Sequence, residues 1–135
     1  MKIIDKAYTL AKQVRLNAHA PYSKFLVGAV VKVKGSDQLF AACNVENASY
    51  GGAVCAERNA IFQMVAALGK AEPEFLVLVT DTLTGAAPCG FCLQVLSEFC
   101  APDFPVHITN LEGFKKEYKL KELLPLMFDK KDLPK

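Results

Sequence analysis

Apolar residues at Ile3, Ile4, Ala7, Leu10, Ala11, Val14 and Ala18 recur at three- and four-residue steps. That spacing predicts an amphipathic helix over residues 2–18, ended before Pro21. Residues 25–33 are β-branched and apolar, Gly35-Ser36-Asp37 supplies a turn, and residues 39–43 form the returning strand of a hairpin. Residues 44–52 are polar and glycine-rich, a loop that delivers the chain to a helix over 55–68, stopped by Gly69. The unbroken apolar run 75–79 suits a central strand buried on both faces. After a loop over 81–88, Cys92, Val95, Leu96 and Phe99 share one face of a helix over 89–99. Short strands over 105–109 and 114–120 follow, and Leu123-Leu124-Pro125 closes a last short helix. Helix, two strands, helix, strand, helix, two strands, helix predicts one sheet of about five strands with helices on its faces.

A chain of 135 residues is long enough for one core, so residues 1–135 are read as a single domain. Hydrophobic residues make up 52% and mean hydropathy is +0.20, high for a lone small soluble domain. Some apolar surface is therefore expected between subunits of an oligomer. Net charge is only +2, with lysines concentrated in the tail (Lys115, Lys116, Lys119, Lys121, Lys130, Lys131), which argues against a nucleic-acid-binding chain. Five cysteines, an odd number, without a signal peptide point to a reducing, cytoplasmic setting rather than a disulfide framework. The start Met1-Lys2-Ile3-Ile4-Asp5-Lys6-Ala7-Tyr8 interleaves charge with apolar residues, unlike an export or membrane-spanning segment.

Chemistry concentrates in Cys55-Ala56-Glu57-Arg58 and Pro88-Cys89-Gly90-Phe91-Cys92. Alone, the C-x-x-C pair fits a redox disulfide, half of a structural zinc finger or part of a catalytic zinc site equally well. A redox pair has no need of Cys55 or Glu57, and a structural finger needs a fourth ligand. Cys43 in a strand, Cys100 beyond a helix, His19 and His107 fall in no ligand-like pattern. Three thiolates with an open fourth corner beside a carboxylate point to metal-assisted hydrolysis. The predicted helix starts at Cys55 and Cys89 favour thiolates through their free N–H groups and partial positive charge. Glu57 in a first turn is also what the helix dipole alone would select; its other reading is a carboxylate that carries protons without binding metal. Arg58, at i+3 from Cys55, is either a surface arginine or the charge that offsets three thiolates on Zn²⁺.

Five ordered blocks carry a resemblance that runs nearly end to end: Pro21-Tyr22-Ser23-Lys24-Phe25 with Val27-Gly28-Ala29; Asn44-Val45-Glu46-Asn47-Ala48-Ser49-Tyr50-Gly51; Cys55-Ala56-Glu57-Arg58; Pro88-Cys89-Gly90 with Cys92 and Gln94-Val95-Leu96; and Leu123-Leu124-Pro125 with Phe128. The chain resembles the small homotetrameric cytidine deaminases. The resemblance implies a three-layer α/β/α sandwich with a five-stranded mixed sheet, and one Zn²⁺ per chain on Cys55, Cys89 and Cys92. It also implies that Glu57 shuttles protons while zinc-activated water attacks the amino-bearing ring carbon of cytidine or deoxycytidine, releasing ammonia as in pyrimidine salvage. Asn44 and Glu46 match positions that hydrogen-bond the ribose 3′-hydroxyl, and Phe25 one that packs on the pyrimidine. Ala48, Tyr50 and Phe128 match positions that reach neighbouring active sites in the tetramer. Implied partners are a small nucleoside and three further copies of the chain, with no nucleic-acid polymer and no membrane.

The chain departs from the family's usual Ser-Pro-Cys-Gly-Ala-Cys-Arg-Gln at Ala87, Phe91 and Leu93. A charge lost beside Cys92 leaves Arg58 as the local counter-charge, and Phe91 adds bulk between two ligands. These changes bear on substrate range, so the alternative reading is a deaminase of a modified cytidine or a cytosine-containing nucleoside antibiotic.

Overall fold

The computed structural model describes residues 1–134. Its elements are α1 (Ile3–Arg15), β1 (Val27–Val33), β2 (Leu39–Cys43), α2 (Ala56–Leu68), β3 (Pro73–Thr80), α3 (Gly90–Phe99), β4 (Pro105–Asn110), β5 (Lys115–Lys119) and α4 (Leu120–Leu123), with 3-10 turns at Tyr50–Gly52 and Lys130–Asp132. One five-stranded sheet runs in the order β2-β1-β3-β4-β5. Only β3 and β4 are parallel, joined by a crossover through α3; the other pairs are antiparallel. A mixed sheet follows because a parallel pair needs such a crossover, whereas β1–β2 and β4–β5 are joined by short turns.

Alternation along the central strands builds two cores. Val30, Phe75, Val77 and Val79 face Ala7 and Ala11 of α1. Ala29, Val31, Leu76, Leu78, Val106 and Ile108 face α2 and α3, where Ala60, Ile61, Met64, Leu93 and Leu96 meet them. Hence α1 forms one layer, the sheet the second, and α2 with α3 the third. Each fully buried Val or Leu contributes about 1.5–3 kcal/mol. At Gly28 the α1 backbone comes so close that a Cβ would sit 2.0 Å from the Ala11 carbonyl oxygen. No larger residue fits there, and α1 is seated flat on β1.

Three of the boundaries that differ from the periodicity have a local cause or a new cap. Helix α1 ends at Arg15 rather than 18, because Leu16, Asn17 and Ala18 bond to carbonyls three residues back in a tightening turn. Strand β1 begins at Val27 rather than 25: the Leu26 carbonyl accepts from Arg15 Nε at 3.0 Å, Phe25 N–H donates to Ser23 Oγ, and Lys24 sits at φ 61°. The last helix covers Leu120–Leu123, earlier than Pro125, with Lys119 N–H donating to Glu122 Oε1 at its start. No helix among the described residues is long and apolar enough to cross a membrane.

Candidate active site

Cys55 and Cys89 occupy the extended residue just before α2 and α3, at ψ 156° and 171°, and neither side chain caps its own helix. Both thiols turn instead toward one another, 3.7 Å apart. Cys92, one turn into α3 and therefore on the same side as Cys89, places its Sγ 3.6 Å from Cys89 Sγ. Among the described residues these three form a group whose ligand atoms all lie within 4.8 Å of one another. Zinc–sulfur bonds of about 2.3 Å in a tetrahedron require sulfurs about 3.8 Å apart. The triad fits Zn²⁺ on that geometry and on its donor chemistry. A hydrogen bond with Cys92 draws the Cys55 thiol down, against desolvation and with help from Arg58 and Cys89. The same bond, then burial, pushes Cys92 up. Three sulfurs this close hold three negative charges only around a cation.

Glu57 is the next side chain inward. It is 5% exposed, and burial pushes its carboxyl up to about 7, with the Cys55 charge acting in the same direction. A carboxyl held there can both take and give a proton near neutrality. Arg58 Nη2 donates to the Ala53 carbonyl at 3.1 Å and lies 3.8 Å from Cys55 Sγ. The sequence spacing thus places its charge on the triad.

A cavity of about 280 Å³ opens from the triad, with Cys55, Glu57 and Cys89 at its floor. Val27, Leu78 and Thr80 from the sheet and Ala86 and Ala87 from the β3–α3 loop form its walls, and Phe25, Asn44 and Glu46 complete it. Asn44 and Glu46 are already partly committed. Asn44 Oδ1 accepts from Val27 N–H at 2.9 Å, and Asn44 Nδ2 donates to the Phe25 carbonyl at 2.7 Å. Glu46 accepts from the N–H groups of Tyr22 and Ser23 at 3.2 and 3.1 Å and from Ser23 Oγ–H. Those bonds fix the 22–27 segment, Phe25 included, over the cavity. They also leave one Asn44 N–H and one Glu46 lone pair unused.

Ala48, Tyr50 and Phe128 do not join this cavity. Tyr50, 73% exposed, packs edge-on against Tyr22 and lines an adjoining hollow with Glu46 and Ala53. Ala48 is exposed, and Phe128, 56% exposed, meets α3 through its carbonyl, which accepts from Gln94 Nε2 at 2.7 Å. Two departures from the family pattern also land away from the cavity. Leu93 is buried in the α2/α3 core, so a charge there would lie among apolar side chains rather than on the thiols. Phe91 projects outward beneath Arg58 and narrows nothing. Ala87 does line the cavity.

Sequence reasoning gave no role to Ser23 or Thr80. Ser23 clamps Glu46 and caps Phe25; its signal was a serine two residues before Phe25, the spacing of a side-chain turn. Thr80 is buried at the end of β3 and shares a hydrogen bond with Thr82 at 2.8 Å. Its place in the cavity wall follows from the sheet order, which the sequence does not display.

The family described as "Cytidine and deoxycytidylate deaminase zinc-binding region" matches residues 1–108. The chain is 40% identical over 130 residues to a cytidine deaminase of Sporosarcina psychrophila, covering 96% of this chain and 94% of the relative. It is 41% identical over 123 residues to that of Halalkalibacterium halodurans, covering 91% and 92%. A crystal structure of cytidine deaminase from Burkholderia pseudomallei superposes with a TM-score of 0.84 at 39% identity, covering 92% of this chain and 98% of the other. With its zinc-ligand geometry, its sheet and these likenesses all in agreement, the chain belongs to the cytidine deaminase family.

Proposed function

We propose that Glu57 is the proton carrier in the zinc-dependent deamination of cytidine that this chain catalyses, with deoxycytidine as a second substrate. The observation that carries the assignment is the cavity itself: it ends on a three-thiol cluster with a buried carboxyl beside it and, among the described residues, no fourth protein ligand in the group. Cys55, Cys89 and Cys92 would hold Zn²⁺, which would supply Lewis acidity toward water near neutral pH. Glu57 accepts the proton of the attacking water and passes it to the ring nitrogen beside the amino-bearing carbon. A second proton moves through Glu57 to the amino group, ammonia leaves, and the ring keeps the oxygen. Water and cytidine thus give uridine and ammonia, with Glu57 restored.

Arg58 offsets the excess negative charge of three thiolates on a dication. Phe25, pinned by Asn44 and Ser23, packs on the pyrimidine, while the free N–H of Asn44 and the free lone pair of Glu46 meet the ribose 3′-hydroxyl. Ala48, Tyr50 and Phe128 serve neighbouring sites in a homotetramer; in support, Tyr50 and Phe128 are large and exposed in one chain. Residues 1–135 act as one catalytic domain on a free nucleoside in cytoplasmic pyrimidine salvage, without nucleic acid or membrane as partner.

One assay tests the whole reading: zinc per chain, with ammonia release from cytidine, deoxycytidine, cytosine and cytidine monophosphate. Expected are one zinc, turnover of both nucleosides and little of the free base or nucleotide. Comparable turnover of cytosine would overturn the sugar contacts, and zinc-replete protein inert on all four would overturn the substrate class.

A further inference from the structure

Phe91 is 75% exposed and lines no part of the cavity, although its neighbour Cys92 belongs to the thiol triad. A phenyl ring left in solvent on the first turn of α3 gains little from burial. What it touches is Arg58, whose guanidinium carbon lies 5.6 Å from the ring centroid. The hydrogen bonds of that guanidinium fall on a single atom, Nη2, shared between the Ala53 carbonyl and Cys55 Sγ, and Cys92 also lies close enough to act on its charge. Arg58 Nε is buried and has no acceptor. Hydrogen bonds through that one nitrogen fix its place but do not by themselves set the tilt of the guanidinium plane. The ring closes that freedom from the face, and because Arg58 belongs to α2 and Phe91 to α3, the contact ties together the two helix starts that present the thiols.

We propose that Phe91 is a positioning residue for Arg58, holding the guanidinium plane so that its charge stays on the Cys55 sulfur and the chain retains zinc. The proposal rests on the reading of Arg58 as the counter-charge to the zinc thiolates. An exposed cation–ring contact contributes about two- to five-fold in an equilibrium constant.

The test is competition for zinc between a chromogenic chelator and the wild type, Phe91→Ala, Phe91→Leu, Phe91→Tyr, Arg58→Ala and the Phe91→Ala/Arg58→Ala double variant. Phe91→Ala and Phe91→Leu are expected to surrender zinc about two- to five-fold more readily, Phe91→Tyr to match the wild type, and Phe91→Ala to add nothing once Arg58 is gone. Wild-type retention in Phe91→Ala while Arg58→Ala is weakened overturns the proposal and leaves the Arg58 reading standing. So does a full Phe91→Ala effect in the Arg58→Ala background, or rescue by Phe91→Leu, since either makes the ring mere apolar cover. Unchanged retention in Arg58→Ala removes the underlying reading and the proposal with it.

Discussion

The floor and the rim of the cavity are built on opposite principles. At the floor Glu57 is 5% exposed and Cys55 half-buried, Cys89 opens to the cavity, and Cys92 stands behind them at 0%, all set by two helix starts of one chain. At the rim Phe25 is 41% exposed on a loop, and outside the cavity Phe128 and Tyr50 are 56% and 73% exposed on a loop and a 3-10 turn. A desolvated floor shifts proton affinities and sharpens electrostatics, whereas an exposed rim gains force only when something covers it. The contrast sets the chemistry in the buried floor and leaves the exposed aromatics to whatever covers them.

The sharpest break of that contrast is at the floor. Glu57→Gln keeps the shape and the zinc but cannot carry a proton, so kcat should fall by at least ~10²-fold at unchanged zinc content. Metal analysis with steady-state kinetics checks it, and near-normal turnover would take Glu57 out of the reaction.

The same carboxyl gives a pH signature in zinc-free protein. Burial raises it from an ordinary 4.5 to about 7, so the native state keeps a proton that the unfolded chain releases. Its contribution is full below about 4.5 and is lost as pH rises through about 7, amounting to about 3 kcal/mol at 1.36 kcal/mol per pKa unit. Urea unfolding of zinc-free wild type and Glu57→Gln at pH 5 and pH 8 should show the wild type losing ground at the higher pH. A pH-independent difference would mean that the carboxyl is solvated in the native state.

Between floor and rim lie Asn44 and Glu46. A cytidine analogue lacking the 3′-hydroxyl leaves their spare hydrogen-bonding groups unpaired, at ~1–3 kcal/mol. Its kcat/KM should drop accordingly, and equal rates with and without the hydroxyl would reduce both residues to supports of the 22–27 segment.

The smallest effect on the isolated chain belongs to the exposed hollow beside the cavity. Tyr50→Ala should change monomer stability by no more than about 0.5 kcal/mol, while sedimentation shows weakened assembly and KM rises. Unaltered assembly and KM would make Tyr50 an ordinary surface aromatic.

The strongly patterned parts were the legible ones. The β-branched apolar run over 25–33 and the apolar run 75–79 became β1 and β3 in the interior of the sheet, because burial on both faces admits little but apolar residues. The start of β1 was misplaced by two residues because Arg15, distant in the pattern, takes the Leu26 carbonyl. Leu93 and Phe91, side by side with Cys92, looked equally able to alter the site. Helical geometry sends one into the core and the other into solvent, and a linear motif carries no such direction.

By itself the sequence determined the chemistry: three thiols and a carboxylate at predicted helix starts, an open fourth corner, and strands apolar enough to form the middle of a sheet. These are properties of residue type and local spacing. Tertiary structure alone decided that the sulfurs stand 3.6 and 3.7 Å apart, that Asn44 and Glu46 first hold the chain and only then have a group to spare, and that Phe91 meets Arg58 across two helices. Those facts depend on how α2 and α3 dock on one face of the sheet, and docking is settled by packing among residues far apart in the chain.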